Sequence, residues 1–523
     1  MYEDMTEGLD RRGFLAGAAA VTVGGALVGA RPASASETAL RALKHPQRDH
    51  RTHPADLDIS EAVSLLRTRR LSSRELVAAC LERIEERDGD LTAWERVYAD
   101  EALVAAAVAD RSLGGRGAPA PLLCGIPIGF KDIIAVGGKP LTAGSRALEG
   151  NVAPSDSHAW ERARAEGMVL LGHTKSQEFA SGNNTQTAGN PYDPRKSPGG
   201  SSNGSGAAVG GRMIPVGLGT DSGGSLRRPA SACGLNSLMA TYGLVSTRGI
   251  VTGARGNDHV GALVRSAVDV SLMLTLMAGR DPLDPTTYAA PRLPSLPLEP
   301  RGGAKPFRGM RFGLTPAIPA TDTLDPGVRA VFERFIDDLR GMGAEFIELT
   351  LPPQPAGAPG PSPEAVLLHR DLWPAKGHLY TRGSRESVAS QQANASARTA
   401  LADYEAQVRR GQWVAELQQI FGESRIDALV QCCQQLETPL RGPGGPEETG
   451  DLLRFGSGTV RGMWNTANFP ALSLPGGLSP VTGMPAGIQL VGAPWSDAKL
   501  LQIAIDYQAR SDHHRTEPGM WDE

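Results

Sequence analysis

Two short segments rich in glycine and serine constrain this chain more than any other part of its 523 residues. P-G-G-S-S-N-G-S-G runs from Pro198 to Gly206, and G-L-G-T-D-S-G-G-S-L-R from Gly217 to Arg227. Glycine reaches positive φ without strain and has no Cβ, so two such turns can approach one small volume and still admit a ligand. Each turn presents a serine, Ser201 and Ser225, 24 residues apart. Upstream, G-I-P-I-G-F-K-D places Lys131 after an apolar run. Together these segments offer a nucleophile, a second hydroxyl, an amine and a cluster of backbone N–H donors. Those are the parts of an acyl-transfer site.

Within the second turn, Ser225 is the candidate nucleophile. Ser222, Gly223, Gly224 and Ser225 itself can aim successive N–H groups at one spot, an oxyanion hole made from backbone alone. A helix beginning near Leu226 would add a modest favourable field for negative charge. Lys131 could serve as a base only if neutral, because an ordinary lysine near pKa ~10.4 is charged. The apolar run Ile126–Phe130 argues for burial, which disfavours the ammonium. Asp132 offers the competing reading, a plain salt bridge.

Other chemistries fit less well. Gly200-Ser201-Ser202-Asn203-Gly204 satisfies G-x-S-x-G, but that nucleophile elbow needs a strand immediately before it. The preceding N-P-Y-D-P-R-K-S-P cannot form a buried strand. No glycine loop ends in G-K-S or G-K-T, and no H-E-x-x-H occurs, so neither a nucleotide nor a metal is expected as cofactor. Net charge is −4, which leaves no basic footprint for nucleic acid. Cys80, Cys124, Cys233, Cys432 and Cys433 show no C-x-x-C spacing, and the adjacent pair reads as buried small hydrophobes.

The first residues read as a targeting segment. Arg11-Arg12-Gly13-Phe14-Leu15 precedes a small-residue apolar run from Ala16 to Ala30, and Ala33-Ser34-Ala35 supplies an A-x-A cleavage site. The pattern is that of a bacterial twin-arginine export signal over residues 1–35, which gives a periplasmic or extracellular destination. No other segment has the apolar length to span a bilayer, so no stable membrane insertion is expected once the signal is removed.

Helix and strand patterns alternate after that. Ile59, Ala62, Val63, Leu65 and Leu66 form one apolar stripe, and Leu76, Ala79, Cys80, Leu81 and Ile84 a second, with Ser72-Ser73 and Glu75 as a helix start. Ala102–Ala109 continues the helical pattern. Ser157–Glu166 reads as a helix leading into a strand at Met168–Leu171, and Arg212–Leu218 as extended chain. Met310–Leu314 and Glu345–Leu349 read as strands around a helix at Pro326–Met342, and about Glu364–Gln419 as a helical, variable region. Pro-rich stretches at Pro282–Pro306 and Pro352–Pro363 are surface connections. The alternation favours an α/β sandwich.

These motifs resemble the amidase signature family of serine hydrolases. Pro121–Ile134 looks like the family's lysine segment, and L-T-A-G-S (Leu141–Ser145) follows it. The glycine–serine turns have the family's order and spacing, and Asn468–Gly492 resembles its closing segment. The resemblance covers about Leu57 to Gln508. It implies one domain over 57–510, a mixed β-sheet between helical layers, with 36–56 as an extension and 511–523 as a tail. It implies that Lys131 is the general base, Ser201 a relay serine joined by a cis peptide to Gly200, and Ser225 the nucleophile. Ser202 would be a supporting hydrogen-bond residue, and Asp221 and Arg227 a structural ion pair. The expected partner is a small-molecule amide, and a homodimer is left open. The runner-up readings are a non-catalytic binding member of the fold and an amidotransferase subunit. The chain departs from the family at Arg228, at L-N-S-L-M-A-T-Y-G (Leu235–Gly243) and at I-D-A-L-V-Q-C-C (Ile426–Cys433).

Overall fold

A computed structural model describes residues 53–521, apart from 116–118, 181–187, 252–255, 294, 316–323, 358–362, 395–398 and 442–458. The expected export signal, and the extension up to residue 52, lie outside the described residues.

Local chemistry sets the first two helices. Asp58 caps helix Ile59–Arg67 and Ser72 caps helix Ser73–Leu91. In each, the cap side chain accepts the N–H of a glutamate three residues on (Glu61, Glu75), and that glutamate accepts the cap N–H in return. Two otherwise orphaned donors are satisfied at each helix start. Both apolar stripes face the core, with Leu65 and Leu81 only partly buried at their margins.

Eleven strands among the described residues form one mixed sheet. They are β1 (Trp94–Val97), β2 (Pro127–Lys131), β3 (Val169–Thr174), β4 (Val216–Asp221), β5 (Asn236–Met239), β6 (His259–Val264), β7 (Arg311–Leu314), β8 (Glu345–Glu348), β9 (Ala428–Cys432), β10 (Ala471–Leu478) and β11 (Pro485–Val491). Their order across the sheet is β1-β3-β2-β4-β6-β5-β10-β11-β9-β7-β8. β2 is parallel to both β3 and β4, while β4–β6, β6–β5, β5–β10, β10–β11 and β11–β9 are antiparallel. Every residue of β2, β4 and β11 is buried, which requires cover on both faces. The α/β reading of a mixed sheet between helical layers therefore holds, and the C-terminal third adds β9–β11 to the same sheet.

Boundaries differ in two places. The extended stretch expected from Arg212 begins later, at Val216, because Arg212 closes the preceding helix with φ of 57°. The helical region resolves into helices Pro363–Arg370, Trp373–Lys376, Arg382–Asn394 and Ala400–Ser424. All five cysteines are free and buried. Among the described residues no helix is long and apolar enough to cross a membrane.

Parallel neighbours β2 and β4 pair through Gly129–Gly217 and Phe130–Leu218, so they end side by side. The carboxyl ends of parallel strands are where open α/β sheets hold ligands. Lys131 is the last residue of β2 and Asp221 the last of β4.

Candidate active site

Lys131 is fully buried. Its Nζ lies 2.7 Å from Ser201 Oγ and 3.0 Å from Thr220 Oγ1. Burial presses its pKa down to about 7, against an upward pull from Asp258 and Asp221. Near neutral pH a large share of this amine is therefore uncharged, with a lone pair facing hydroxyls. The competing salt bridge does not form, because the next residue along an extended chain points the other way. Asp132 instead accepts hydrogen bonds from Arg96 Nη1 at 3.1 Å, Gly144 N at 3.2 Å and the Thr142 hydroxyl.

The chain leading to Ser201, from Pro191 to Gly200, runs in turns and irregular structure with no strand. The nucleophile-elbow reading lacks its scaffold. Gly199 has φ of 78°, and a Cβ there would stand 2.9 Å from Pro229, so this glycine lets the first turn close against helix Arg227–Ala232. The Gly200–Ser201 peptide is cis. Ser202 Oγ donates to Thr220 O at 3.2 Å and accepts from Thr220 N at 3.3 Å, which ties the first turn to β4. Ser205, on helix Asn203–Gly210, donates to Leu218 O at 2.9 Å.

The second turn is organised by one carboxylate. Asp221 accepts hydrogen bonds from Gly224 N at 2.5 Å, Leu226 N at 3.2 Å, Arg227 Nε at 3.0 Å and Asn465 Nδ2 at 2.9 Å. Burial alone would raise its pKa, but Arg227's charge and hydrogen bonds, with Asn465, hold it well below the usual carboxylate range. Arg227 is equally buried and also donates to Asn465 Oδ1 and Gln489 Oε1, each at 2.6 Å. Removing one member of such a set strands a buried charge.

That arrangement corrects one expectation. The Gly224 N–H is directed at Asp221, so it leaves the set of oxyanion donors. Gly223 and Ser225 keep N–H groups with no partner among the described residues, and Ser222 holds its place between them and Asp221 by donating its hydroxyl to Asp258. Ser225 is half-buried. Its hydroxyl makes no hydrogen bond to any described residue, so it is not bonded to Ser201. Catalytic hydrogen bonds are often loose without substrate and tighten in the Michaelis complex.

A cavity of about 190 Å³ adjoins Thr220, Ser222 and Asp258. Ile133, Phe179, Ile250, Val251 and Leu368 give it apolar walls, and His369 closes one side. His369 Nδ1 lies 3.0 Å from Tyr380 Oη, and burial lowers its pKa to about 4, so it is neutral at pH 7. Leu368 and His369 come from helix Pro363–Arg370. Sequence reasoning missed Thr220, Asp258, Asn465, Gln489 and Arg461. Asn465 lies 244 residues from Asp221 and carries no local motif. Among the described residues no group of three or more His, Cys, Asp or Glu could hold a metal ion.

A buried amine whose pKa lies near neutrality is hydrogen-bonded to Ser201 at the end of one of two parallel strands, and the turn that follows the other strand carries Ser225 with open N–H groups around it. Residues 75–501 match the family model described as Amidase, and the chain belongs to that family. It is 33% identical over 492 residues to a glutamyl-tRNA(Gln) amidotransferase subunit from Chloroflexus aggregans, covering 89% of this chain and 98% of that protein. A protein of the same name from an Anaeromyxobacter species is 35% identical over 483 residues, covering 86% and 95%. The solved peptide amidase of Stenotrophomonas maltophilia superposes with a TM-score of 0.71 at 27% identity, covering 89% and 99%.

Proposed function

We propose that the protein hydrolyses carboxylic amides to acid plus amine or ammonia, with Lys131 as base, Ser201 as relay and Ser225 as nucleophile. The observation that carries this reading is the buried Lys131 amine 2.7 Å from Ser201 Oγ. Lys131 takes the Ser201 proton as Ser201 takes that of Ser225, and Ser225 Oγ attacks the carbonyl carbon. The N–H groups of Gly223 and Ser225 bind the developing oxyanion. The proton returns through Ser201 to the leaving nitrogen as the C–N bond breaks, leaving an acyl-enzyme. Water, deprotonated along the same route, then releases the acid. Esters and carbamates can pass through the same tetrahedral chemistry.

An amidotransferase role is the second reading, favoured by the names of the relatives at 33% and 35% identity. The net charge of −4 offers no footprint for a polyanionic tRNA. A panel of anilides, primary amides, peptide amides and carbamates separates the two. Purified protein alone should release amine and acid in equal amounts. Turnover that requires charged tRNA and partner proteins would support the second reading instead.

We also propose export by the twin-arginine route, on the strength of Arg11-Arg12 and Ala33-Ser34-Ala35. Residues 1–37 fused to a folded reporter should carry it out of the cytoplasm, and replacing both arginines with lysine should retain it. Equal export of the lysine variant would remove this assignment.

A further inference from the structure

Helices Pro363–Arg370 and Arg382–Asn394 place two polar side chains, His369 and Gln391, in the wall of the cavity beside the second turn. The His369 ring is held by its neighbours. It meets Phe179 edge-on with centroids 4.8 Å apart, and Tyr380 stacks on the same phenyl ring at 5.3 Å. Thr381, next after Tyr380, donates its N–H at 3.0 Å and its hydroxyl at 2.6 Å to Glu178, the residue before Phe179.

That packing fixes which ring nitrogen carries the proton. Tyr380 is buried, and its hydroxyl has one partner among the described residues, His369 Nδ1 at 3.0 Å. A buried O–H needs an acceptor, so Tyr380 donates and Nδ1 accepts. Burial lowers the His369 pKa to about 4, so at pH 7 the ring is neutral and its single proton sits on Nε2. Nε2 makes no hydrogen bond to any described residue. Gln391 donates through its own Nε2 to Ser387 Oγ at 3.2 Å, while its Oε1 is buried without a partner among the described residues. The wall therefore offers one free donor, from His369, and one free acceptor, on Gln391.

Leaving such groups unmet is costly, so a ligand that answers both is favoured over one that answers neither. A hydroxyl answers both, because it donates one bond and accepts others. The remaining wall is mainly apolar, from Ile133, Phe179, Ile250, Val251 and Leu368. An apolar cavity of roughly 150 Å³ holds one benzene molecule. At about 190 Å³, this one has room for a single ring with a small substituent. It meets the second turn at Ser222, and Ser201, which returns the proton to the leaving nitrogen, is not among its lining residues. The cavity thus receives the acyl part of the substrate.

We propose that His369 and Gln391 form a hydroxyl-recognition pair in this cavity, and that the preferred substrates are amides whose acyl part carries a single hydroxyphenyl ring. The proposal rests on the amide-hydrolysis reading and names the substrate class within it.

Binding to the Ser225→Ala protein tests it without turnover. 4-Hydroxyphenylacetamide and 4-fluorophenylacetamide, which is close to it in size but has no donor, are titrated calorimetrically. The hydroxyl compound should bind roughly 10- to 100-fold more tightly, the range of two neutral hydrogen bonds. Gln391→Met keeps the length of the side chain and removes the acceptor, and His369→Phe keeps a ring and removes the donor. Each should erase most of the preference. A purely structural role for either residue would change the melting temperature and not the ratio of the two affinities.

Equal affinities with both residues in place, or no binding of the hydroxyl compound, overturn the pair even if neither variant folds. A preference that survives undiminished in folded Gln391→Met and His369→Phe overturns it as well. Wild-type turnover of amides with equal binding of the two compounds would sink only the pair. A clear preference in a protein that hydrolyses no amide would sink only the reaction.

Discussion

Replacing Ser225 with alanine should lower amide turnover by on the order of 10⁴-fold or more, the scale seen when a nucleophile is removed from a site whose members act together. The fold should survive. Ser225 is half-buried in a turn, and its hydroxyl bonds to no described residue, so the substitution strands no buried partner. The hydrogen bonds that shape the turn are donated to the Asp221 carboxylate by Gly224 N, Arg227 Nε and Asn465 Nδ2, which the substitution leaves untouched. Residual binding of substrate should persist, since the cavity walls and the Gly223 N–H remain. Unchanged thermal unfolding with turnover lost is the expected pair of results. Turnover within tenfold of wild type would show that another atom attacks the carbonyl.

Lys131→Ala should cost roughly 10²-fold or more, the usual contribution of a positioned proton transfer. The pH profile gives the sharper signature. Burial lowers the lysine pKa to about 7, and an ammonium has no lone pair to receive the Ser201 proton. Activity of the wild-type protein should therefore be lost as pH falls through about 7 and reach a plateau on the alkaline side. In the Lys131→Ala variant that acid limb should vanish along with most of the rate. A folded variant with near-normal turnover and the same acid limb would remove Lys131 from the proton path.

The parts of this site that could be read from the sequence are those whose chemistry is local. Gly199 and Gly224 mark backbone at positive φ, and runs such as G-G-S-S and S-G-G-S announce tight turns with exposed N–H groups. The apolar run before Lys131 announced burial because a buried strand is apolar on both faces, and β2 is buried at every position. Ser72-Ser73 with Glu75 announced a helix start for the same local reason, and Ser72 and Glu75 form a capping box there.

What could not be read depends on contacts between distant segments. Nothing near Gly224 in the chain shows that its N–H turns to Asp221; that follows from how Arg227 and Asn465 fix the carboxylate. Arg461 and Gln489 reach the site from helix Thr459–Ala467 and from β11, more than 230 residues beyond the turn, through hydrogen bonds that no periodicity encodes. The late start of β4 has a similar origin. Arg212 fits an extended pattern by composition, yet the end of helix Asn203–Gly210 forces it to positive φ. The cavity walls are assembled from at least four segments, and a single sequence shows neither their shape nor the substrate they admit.

Ser225, and neither Ser201 nor Ser202, should carry the acyl group; the whole mechanism turns on this. A serine-directed phosphonate bears a tetrahedral oxygen-rich centre, so it should react where a free hydroxyl meets open N–H donors. Ser225 meets that condition. Ser202 Oγ is fully buried and engaged with Thr220, and Ser201 Oγ is held by Lys131. The measurement is peptide mapping of the phosphonylated wild-type protein by mass spectrometry. A single adduct on Ser225 is expected, with slower labelling of Ser201→Ala at the same residue and none in Ser225→Ala. An adduct on Ser202 or Ser201 in the wild-type protein would contradict the assignment.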